Sequence, residues 1–151
     1  KRNVQKKTGA IIMNKVAVVS LNKKLSSGTG RETEKKVGLT AARILRKLRK
    51  NGVFLEIFLA DSGKVRFLNR KFRGKNKAVN ILSFKEPKGF IYPGSKYKKI
   101  GEIYLKLAIT NYSITQLLAH GILHLFGYSH NKKIDRIKME KREKEICSLP
   151  L

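Results

Sequence analysis

The chain's three histidines all fall in one short stretch, His120-Gly-Ile-Leu-His124-Leu-Phe-Gly127-Tyr-Ser-His130. This spacing restricts what the segment can fold into. His120 and His124 stand four apart, so a helix sets them on one face, about 6 Å apart along its axis. Gly127 then permits a positive φ, the usual way for a chain to leave a helix and turn back. Such a turn brings His130 round to the first two imidazoles. Three neutral nitrogens aimed at one point, with a fourth position open, are the arrangement of a catalytic zinc-type site. The plainer alternative is a helix that carries histidines on its buried side; three at this spacing favour the metal site.

The same H-x3-H-x2-G-x2-H spacing occurs in the metzincin peptidases, whose signature is H-E-x-x-H-x-x-G-x-x-H. In those enzymes the glutamate is the general base for the metal-bound water. Here that position is Gly121, which cannot take a proton. The ligand set is present and the peptidase base is missing.

Composition narrows the partner. The chain of 151 residues is of single-domain length, and 41% apolar residues suffice for one core. Lys plus Arg number 35 against 10 acids, a net charge of +25, far beyond what solubility needs. The excess lies on the first two thirds of the chain, away from the histidines. A lysine-rich solvated surface is the bland explanation. A polyanion is the better one, since each phosphate neutralised releases counterions; nucleic acid comes first and an anionic membrane surface is a minor option. The single cysteine, Cys147, excludes an intramolecular disulfide, fits a reducing compartment, and reads as a small buried apolar residue. No apolar run approaches the ~20 residues of a membrane span. The early run Val16–Leu21 is too short for a secretory signal, so the expected location is the cytoplasm, with no disulfide-linked partner and no membrane.

Pattern along the chain predicts the order β-α-β-α-β-β-α-α. Met13–Leu21 is a valine-rich strand, and Ser26–Gly30 a loop in which Thr29 and Glu32 fit a capping box. Val37, Ala41, Ile44, Leu45 and Leu48 recur at helical spacing, and Asn51-Gly52 supplies the exit. Val53–Ala60 reads as an interior strand. Asp61 or Ser62 caps a short helix through Val65, Phe67, Leu68 and Phe72. Arg73–Lys77 is a basic loop, Val79–Phe84 a strand, and Lys85–Lys99, with two prolines and two glycines, a loop or hairpin connection. Ile100–Leu107 alternates, with Ile103 and Leu105 on one face and Glu102 and Tyr104 on the other. The histidine helix follows, then a closing helix over Lys132–Cys147 with Ile134, Ile137 and Met139 as its apolar contacts. The fold class is α+β, a small mixed sheet of about four strands packed with helices, with the metal site on the penultimate helix and the following turn. Residues 1–12 read as a basic, disordered arm and 13–151 as a single catalytic domain.

Three segments resemble one family: Leu68-Asn-Arg-Lys-Phe-Arg-Gly-Lys-Asn-Lys-Ala-Val-Asn-Ile-Leu-Ser-Phe84, the strand Gly101-Glu-Ile-Tyr-Leu105, and His120–His130. Together they look like the YbeY family of metal-dependent endoribonucleases that act in ribosomal RNA maturation, with the tail Met139–Ile146 similar to the family's last helix. Two departures stand out. Ser129 takes the place of an Asp usual before the third histidine, and the segment between the Gly101 strand and the histidine helix is short. The resemblance implies a single-strand-specific endoribonuclease of late 16S-type rRNA maturation and ribosome quality control, with ribosome or small-subunit proteins as partners. His120, His124 and His130 would hold one Zn²⁺, or another divalent ion such as Ni²⁺, that lowers the pKa of a bound water to ~7. The family's F/Y-R-G-K motif falls on Phe72–Lys75 and makes Arg73 the group that stabilises phosphorane charge, with Lys75 and Lys77 as RNA contacts. Asn80 and Ser83 suit either the wall of that cleft or plain strand-edge hydrogen bonding. Glu102 suits a base less well than an exposed strand carboxylate. Two other classes remain: a metalloprotease of metzincin-like spacing, which Gly121 argues against, and a non-catalytic ribosome-associated RNA-binding protein with a structural metal. The latter requires a fourth ligand, for which Cys147 is the candidate.

Overall fold

The computed structural model describes residues 12–22, 28–88, 94–106 and 113–148. Its elements follow the order that the sequence pattern predicts. Strands β1 (Lys15–Ser20), β2 (Val53–Ala60), β3 (Ile81–Lys85) and β4 (Lys98–Lys106) form one mixed sheet in the order β1-β2-β4-β3. β1 and β4 each run parallel to β2, while β3 pairs antiparallel with β4. The helices are α1 (Gly28–Lys47), α2 (Ser62–Arg73), α3 (Ile114–Leu125) and α4 (Lys133–Ser148). This is the expected α+β arrangement, with Val53–Ala60 in the interior of the sheet.

Period-two alternation splits the strands between two apolar layers. Val53, Leu55, Ile57 and Leu59 of β2 and Ile103 and Leu105 of β4 are buried together with the α1 stripe Val37, Ala41, Ile44, Leu45 and Leu48 and with α3. Each fully buried Leu or Ile there contributes about 1.5–3 kcal/mol. A smaller cluster on the opposite face joins Ala60 and Leu82 to Val65 and Leu68 of α2, with Phe84 and Tyr104 against it. α2 is capped as expected: the Asp61 side chain accepts from Lys64 N at 2.8 Å. The sheet thus carries α3 with the histidines on one face and α2 with Arg73 on the other, and both helices contact the edge strand β3.

Several local expectations are corrected. α1 begins at Gly28, so Gly28–Gly30 is helical and Thr29 lies inside the first turn rather than at the cap. α1 ends at Lys47, before Asn51-Gly52; Arg49 takes the positive φ of 55° and Lys50 N donates to Leu45 O at 3.0 Å. β4 starts at Lys98, within the stretch read as loop, because Lys98 N donates to Gly52 O at 2.8 Å and extends the ladder. On α4, Ile134 is 66% and Ile137 52% exposed, whereas Met139 and Ile146 are buried. That helix rests on α3 along the stripe Met139–Glu143–Ile146, and Ile134 and Ile137 point about 140° and 160° away from Met139. The proposed arm up to residue 11 and the short segment at 107–112 lie outside the described residues.

Two glycines allow elements to approach more closely than a side chain would permit. Gly101, at φ 150° beside the irregular register between Phe54 and Leu55, faces the Phe84 carbonyl oxygen; an added Cβ would overlap that oxygen and lie 2.8 Å from Leu125 Cδ2. Gly121 is where α3 meets β3, and a Cβ there would lie 2.7 Å from Ile81 Cδ1 and 2.9 Å from Ser83 Oγ. Gly101→Ala should therefore cost about 2–4 kcal/mol, combining the backbone overlap with an unfavourable positive φ. Urea unfolding measures it. An unchanged midpoint would mean that β3 and β4 separate without cost.

Candidate metal centre

α3 is capped by Ser113, whose Oγ accepts from Gln116 N at 3.1 Å, and its one-face spacing sets His120 above His124. Beyond Leu125 the chain reverses: Gly127 adopts φ 96°, with Gly127 N on His124 O at 3.0 Å and Tyr128 N on Leu123 O at 3.1 Å. No Cβ obstructs this conformation, which L side chains rarely adopt. The turn delivers His130 to the other two, with ring centroids 5.6 Å from His120 and 4.9 Å from His124. One ligand atom from each of the three lies within 4.8 Å of the others.

Hydrogen bonds behind the rings fix which nitrogens are available. His120 Nδ1 lies 2.7 Å from Glu143 Oε1, and His124 Nδ1 lies 2.9 Å from the Tyr128 carbonyl oxygen. A carboxylate and a carbonyl can only accept, so both Nδ1 atoms carry a proton and both Nε2 atoms are turned toward the cluster. Those Nε2 atoms face each other at 3.0 Å. Such a contact needs either a proton shared between the two nitrogens or a cation against both. The separation is near the ~3.3 Å edge of a tetrahedron built from Zn–N bonds of about 2.0–2.1 Å. The three residues therefore fit a zinc-type ion. The His124 pKa is lowered to about 4, first by burial, then by the like charge of His120; the Tyr128 carbonyl opposes this, and His130 and Arg73 add smaller lowering contributions. At neutral pH His124 is thus an uncharged donor.

The sequence-selected cations are brought near this cluster to different degrees. Arg73, the last residue of α2, donates to Ser83 O of β3 at 2.8 Å and lies over the Phe84 ring at 5.6 Å. Phe84 is held by Tyr104 and Phe72, at ring centroids of 5.8 and 5.5 Å. The guanidinium is close enough to His124 to act on its titration. Lys75 and Lys77 are exposed on the loop after α2. Buried Asn69 pins that loop: its Nδ2 donates to Lys77 O at 2.9 Å and its backbone carbonyl accepts from Lys75 N at 3.3 Å. Ser83 serves through its backbone carbonyl, and Asn80 O accepts from Lys106 N at 2.9 Å, a strand-edge role. Glu102 is on the sheet face away from α3, 3.1 Å from Lys99 Nζ, which also pairs with Glu56 at 2.6 Å. It takes no part in the histidine site. Cys147 is exposed, contrary to the expected burial, and among the described residues it is not in the metal-ligating group. The cysteine lies one residue past buried Ile146, on the side of α4 that borders the cavity beside His120.

The model of the family described as endoribonuclease YbeY matches residues 21–149. The chain belongs to the YbeY family. A YbeY protein of Persephonella marina, named an endoribonuclease, is 32% identical over 131 residues, covering 80% of this chain and 81% of the relative. The endoribonuclease YbeY of a Chelativorans species is 33% identical over 103 residues, 61% of this chain and 63% of that protein, so there the match spans less than two thirds of the relative. A solution structure from Thermotoga maritima shares the fold, with a TM-score of 0.50 at 23% identity over 88% of this chain and 89% of that one.

Glu143 is the site residue that sequence reasoning missed in this YbeY chain. Its signal was present: it is a half-buried carboxylate on the inner stripe of α4, four residues after Met139 and three before Ile146, a stripe that Asp135 shares. Tyr128 contributes through its carbonyl, which no side-chain pattern reveals. Removing the carboxylate behind a ligating histidine should weaken metal binding ~10–100-fold. Glu143→Ala, titrated with Zn²⁺ against a chelator of known affinity, tests this. Wild-type affinity in the variant would mean that the carboxylate does not orient His120.

The lowered His124 pKa has its own consequence in chelated protein. Unfolded, the histidine titrates near ~6.5. Between that value and the folded value of about 4 the unfolded state binds more protons, so stability rises with pH across the window. On acidification it falls below pH ~6.5, and the loss is complete below the folded pKa. Urea midpoints from pH 7 to 4 should drop more steeply for wild type than for His124→Gln. Parallel curves would show that His124 is not desolvated.

Proposed function

We propose that this chain is a metal-dependent, single-strand-specific endoribonuclease acting on ribosomal RNA. The reading assigns it to late small-subunit rRNA maturation and ribosome quality control in the cytoplasm, in contact with ribosomal or small-subunit proteins. His120, His124 and His130 hold one Zn²⁺, or a similar ion such as Ni²⁺, residues 13–151 are the catalytic domain, and residues 1–12 a basic arm. The observation that carries the reading is the convergence of three histidine nitrogens, two with their outer protons committed elsewhere, within electrostatic reach of an arginine tethered to β3. The endoribonuclease names of its relatives supply the reaction class.

When bound, the ion would supply a Lewis acid and lower the pKa of a water toward ~7. The chain's own residues do the rest. Glu143 and the Tyr128 carbonyl hold the imidazoles in the tautomer that presents Nε2 inward. Arg73 spends one N–H on Ser83 O, which fixes the guanidinium plane and leaves the fork to meet two phosphate oxygens. Charge develops on those oxygens as the phosphodiester becomes five-coordinate, and a preorganised cation is worth most there. Lys75 and Lys77, held by Asn69, neutralise neighbouring phosphates. A peptidase reading finds no support, because Gly121 packs against Ile81 and Ser83 and has no carboxylate.

Arg73→Ala should cut RNA cleavage ~10²–10³-fold with metal content unchanged and affinity reduced only by one phosphate contact. Arg73→Lys should restore little, since a point charge lacks the fork. His124→Ala should lose metal and activity while still binding RNA. Cleavage kinetics and elemental analysis on the three variants decide. Wild-type cleavage by Arg73→Ala would move the charge-stabilising role to Lys75 or Lys77, and an unchanged metal content in His124→Ala would end the metal assignment.

A further inference from the structure

α2 does more than deliver Arg73. Its outer side is an aromatic and basic surface with an unusual balance of charge. Between Ser62 and Arg73 the helix carries Lys64, Arg66, Arg70, Lys71 and Arg73 and no carboxylate. Two large rings stand out from it: Phe67 is 55% and Phe72 59% exposed. Neither exposure is needed by the core, which α2 meets through Val65 and Leu68. The rings are interleaved with cations. Lys64 Nζ lies 5.4 Å from the Phe67 centroid, and Lys71 Nζ stands between the two rings, 5.9 Å from Phe67 and 5.5 Å from Phe72. Phe72 stands about 140° round the helix from Phe67, with Lys71 linking the two rings, and it precedes Arg73 and touches Phe84, over which the arginine of the candidate active site lies.

We propose that this face of α2 is a stacking subsite for unpaired nucleobases, with Phe67 as its platform and Lys71 as its phosphate contact, feeding a single strand to Arg73. The inference rests on the endoribonuclease reading and adds where the strand lies. The charge points to a polyanion, and the rings separate the kinds of polyanion. An exposed π-face is of use only to a base that has left its own stack, and base–aromatic stacking contributes more than a surface cation–π contact. In a duplex the bases stack on one another and only phosphates and sugars reach such a surface. An acidic protein would match the lysines and give no reason for two solvent-facing rings that alternate with them.

The test is equilibrium binding by fluorescence anisotropy, with a labelled oligouridine and a duplex of equal length, in chelator so that the probe persists. Phe67 is exposed and outside the catalytic machinery, so its variants keep the fold. Phe67→Ala should weaken single-strand binding about tenfold and leave duplex binding within twofold. Phe67→Leu should behave as alanine does, having apolar surface without a π-face, and Phe67→Trp should restore the affinity. Lys71→Ala should instead weaken both probes and reduce the salt slope by about one. In cleavage of single-stranded RNA, Phe67→Ala should raise KM and leave kcat unchanged. Equal affinity of wild type and Phe67→Ala for the oligouridine, as expected if the face docks a protein, overturns the proposal, and so does an equal loss on both probes. Failure of the wild type to cleave RNA, with the Phe67 effect on binding intact, would sink the nuclease reading alone.

Discussion

The close seating of α3 on the sheet edge at Gly121 holds the two halves of the site together. The histidines belong to one face of the sheet and Arg73 to the other, and a sheet ordinarily separates what its two faces carry. Here the contact is made on β3, an edge strand, and through one residue. Ser83 places its Oγ beneath Gly121 and gives its carbonyl to Arg73. A side chain at 121 would press on the Ile81 Cδ1, Ser83 Oγ and Ile103 Cδ1 atoms, which would have to give way for α3 to keep its seat. The glycine that removes a peptidase base from the motif is thus also the point where α3 seats on the strand that tethers Arg73.

Electrostatics at the cluster depends on partners that commit protons. Glu143 and the Tyr128 carbonyl commit the Nδ1 protons of two imidazoles and turn their Nε2 atoms toward each other at 3.0 Å. Burial and neighbouring positive charge keep His124 neutral. His130 is the exposed member and sits on the turn rather than the helix, so its position is set by Gly127 and by ring contacts with the other two. Ser129, beside it, lines one cavity with Asp135 of α4.

The opposite sheet face shows how the chain limits its own excess of positive charge. Lys99 is nearly buried among Glu56, Glu86 and Glu102, at 2.6, 3.7 and 3.1 Å, so three of the ten acids surround one lysine. Burial opposes its charge, and the carboxylates of Glu56 and Glu102 more than compensate, raising its pKa. Concentrating acids there leaves α2 and the loop after it without counter-charge inside the helix. The basic helix α2 and the ion-pair cluster therefore lie on the same side of the sheet and have opposite characters.

Some of this was determined by the sequence alone. Period-two alternation in Val53–Ala60 and Gly101–Leu105, and the 3.6-residue stripe from Val37 to Leu48, are local signals that burial imposes one residue at a time, so the eight elements and their order could be read directly. The histidine spacing and Gly127 are local too, and the ligand cluster was legible from them. What sequence could not supply depends on which surfaces meet. The Ile134, Ile137 and Cys147 expectations failed because apolar character on α4 does not say which side α3 will cover. Glu143 acquired its role only when that helix settled on α3. Arg73 could be chosen by its motif, but its tether to Ser83 and its reach to His124 exist because α2 and α3, on opposite faces, share one edge strand. Short-range periodicity fixes elements; the pairing of faces is a property of the packed whole, and there the tertiary structure decided.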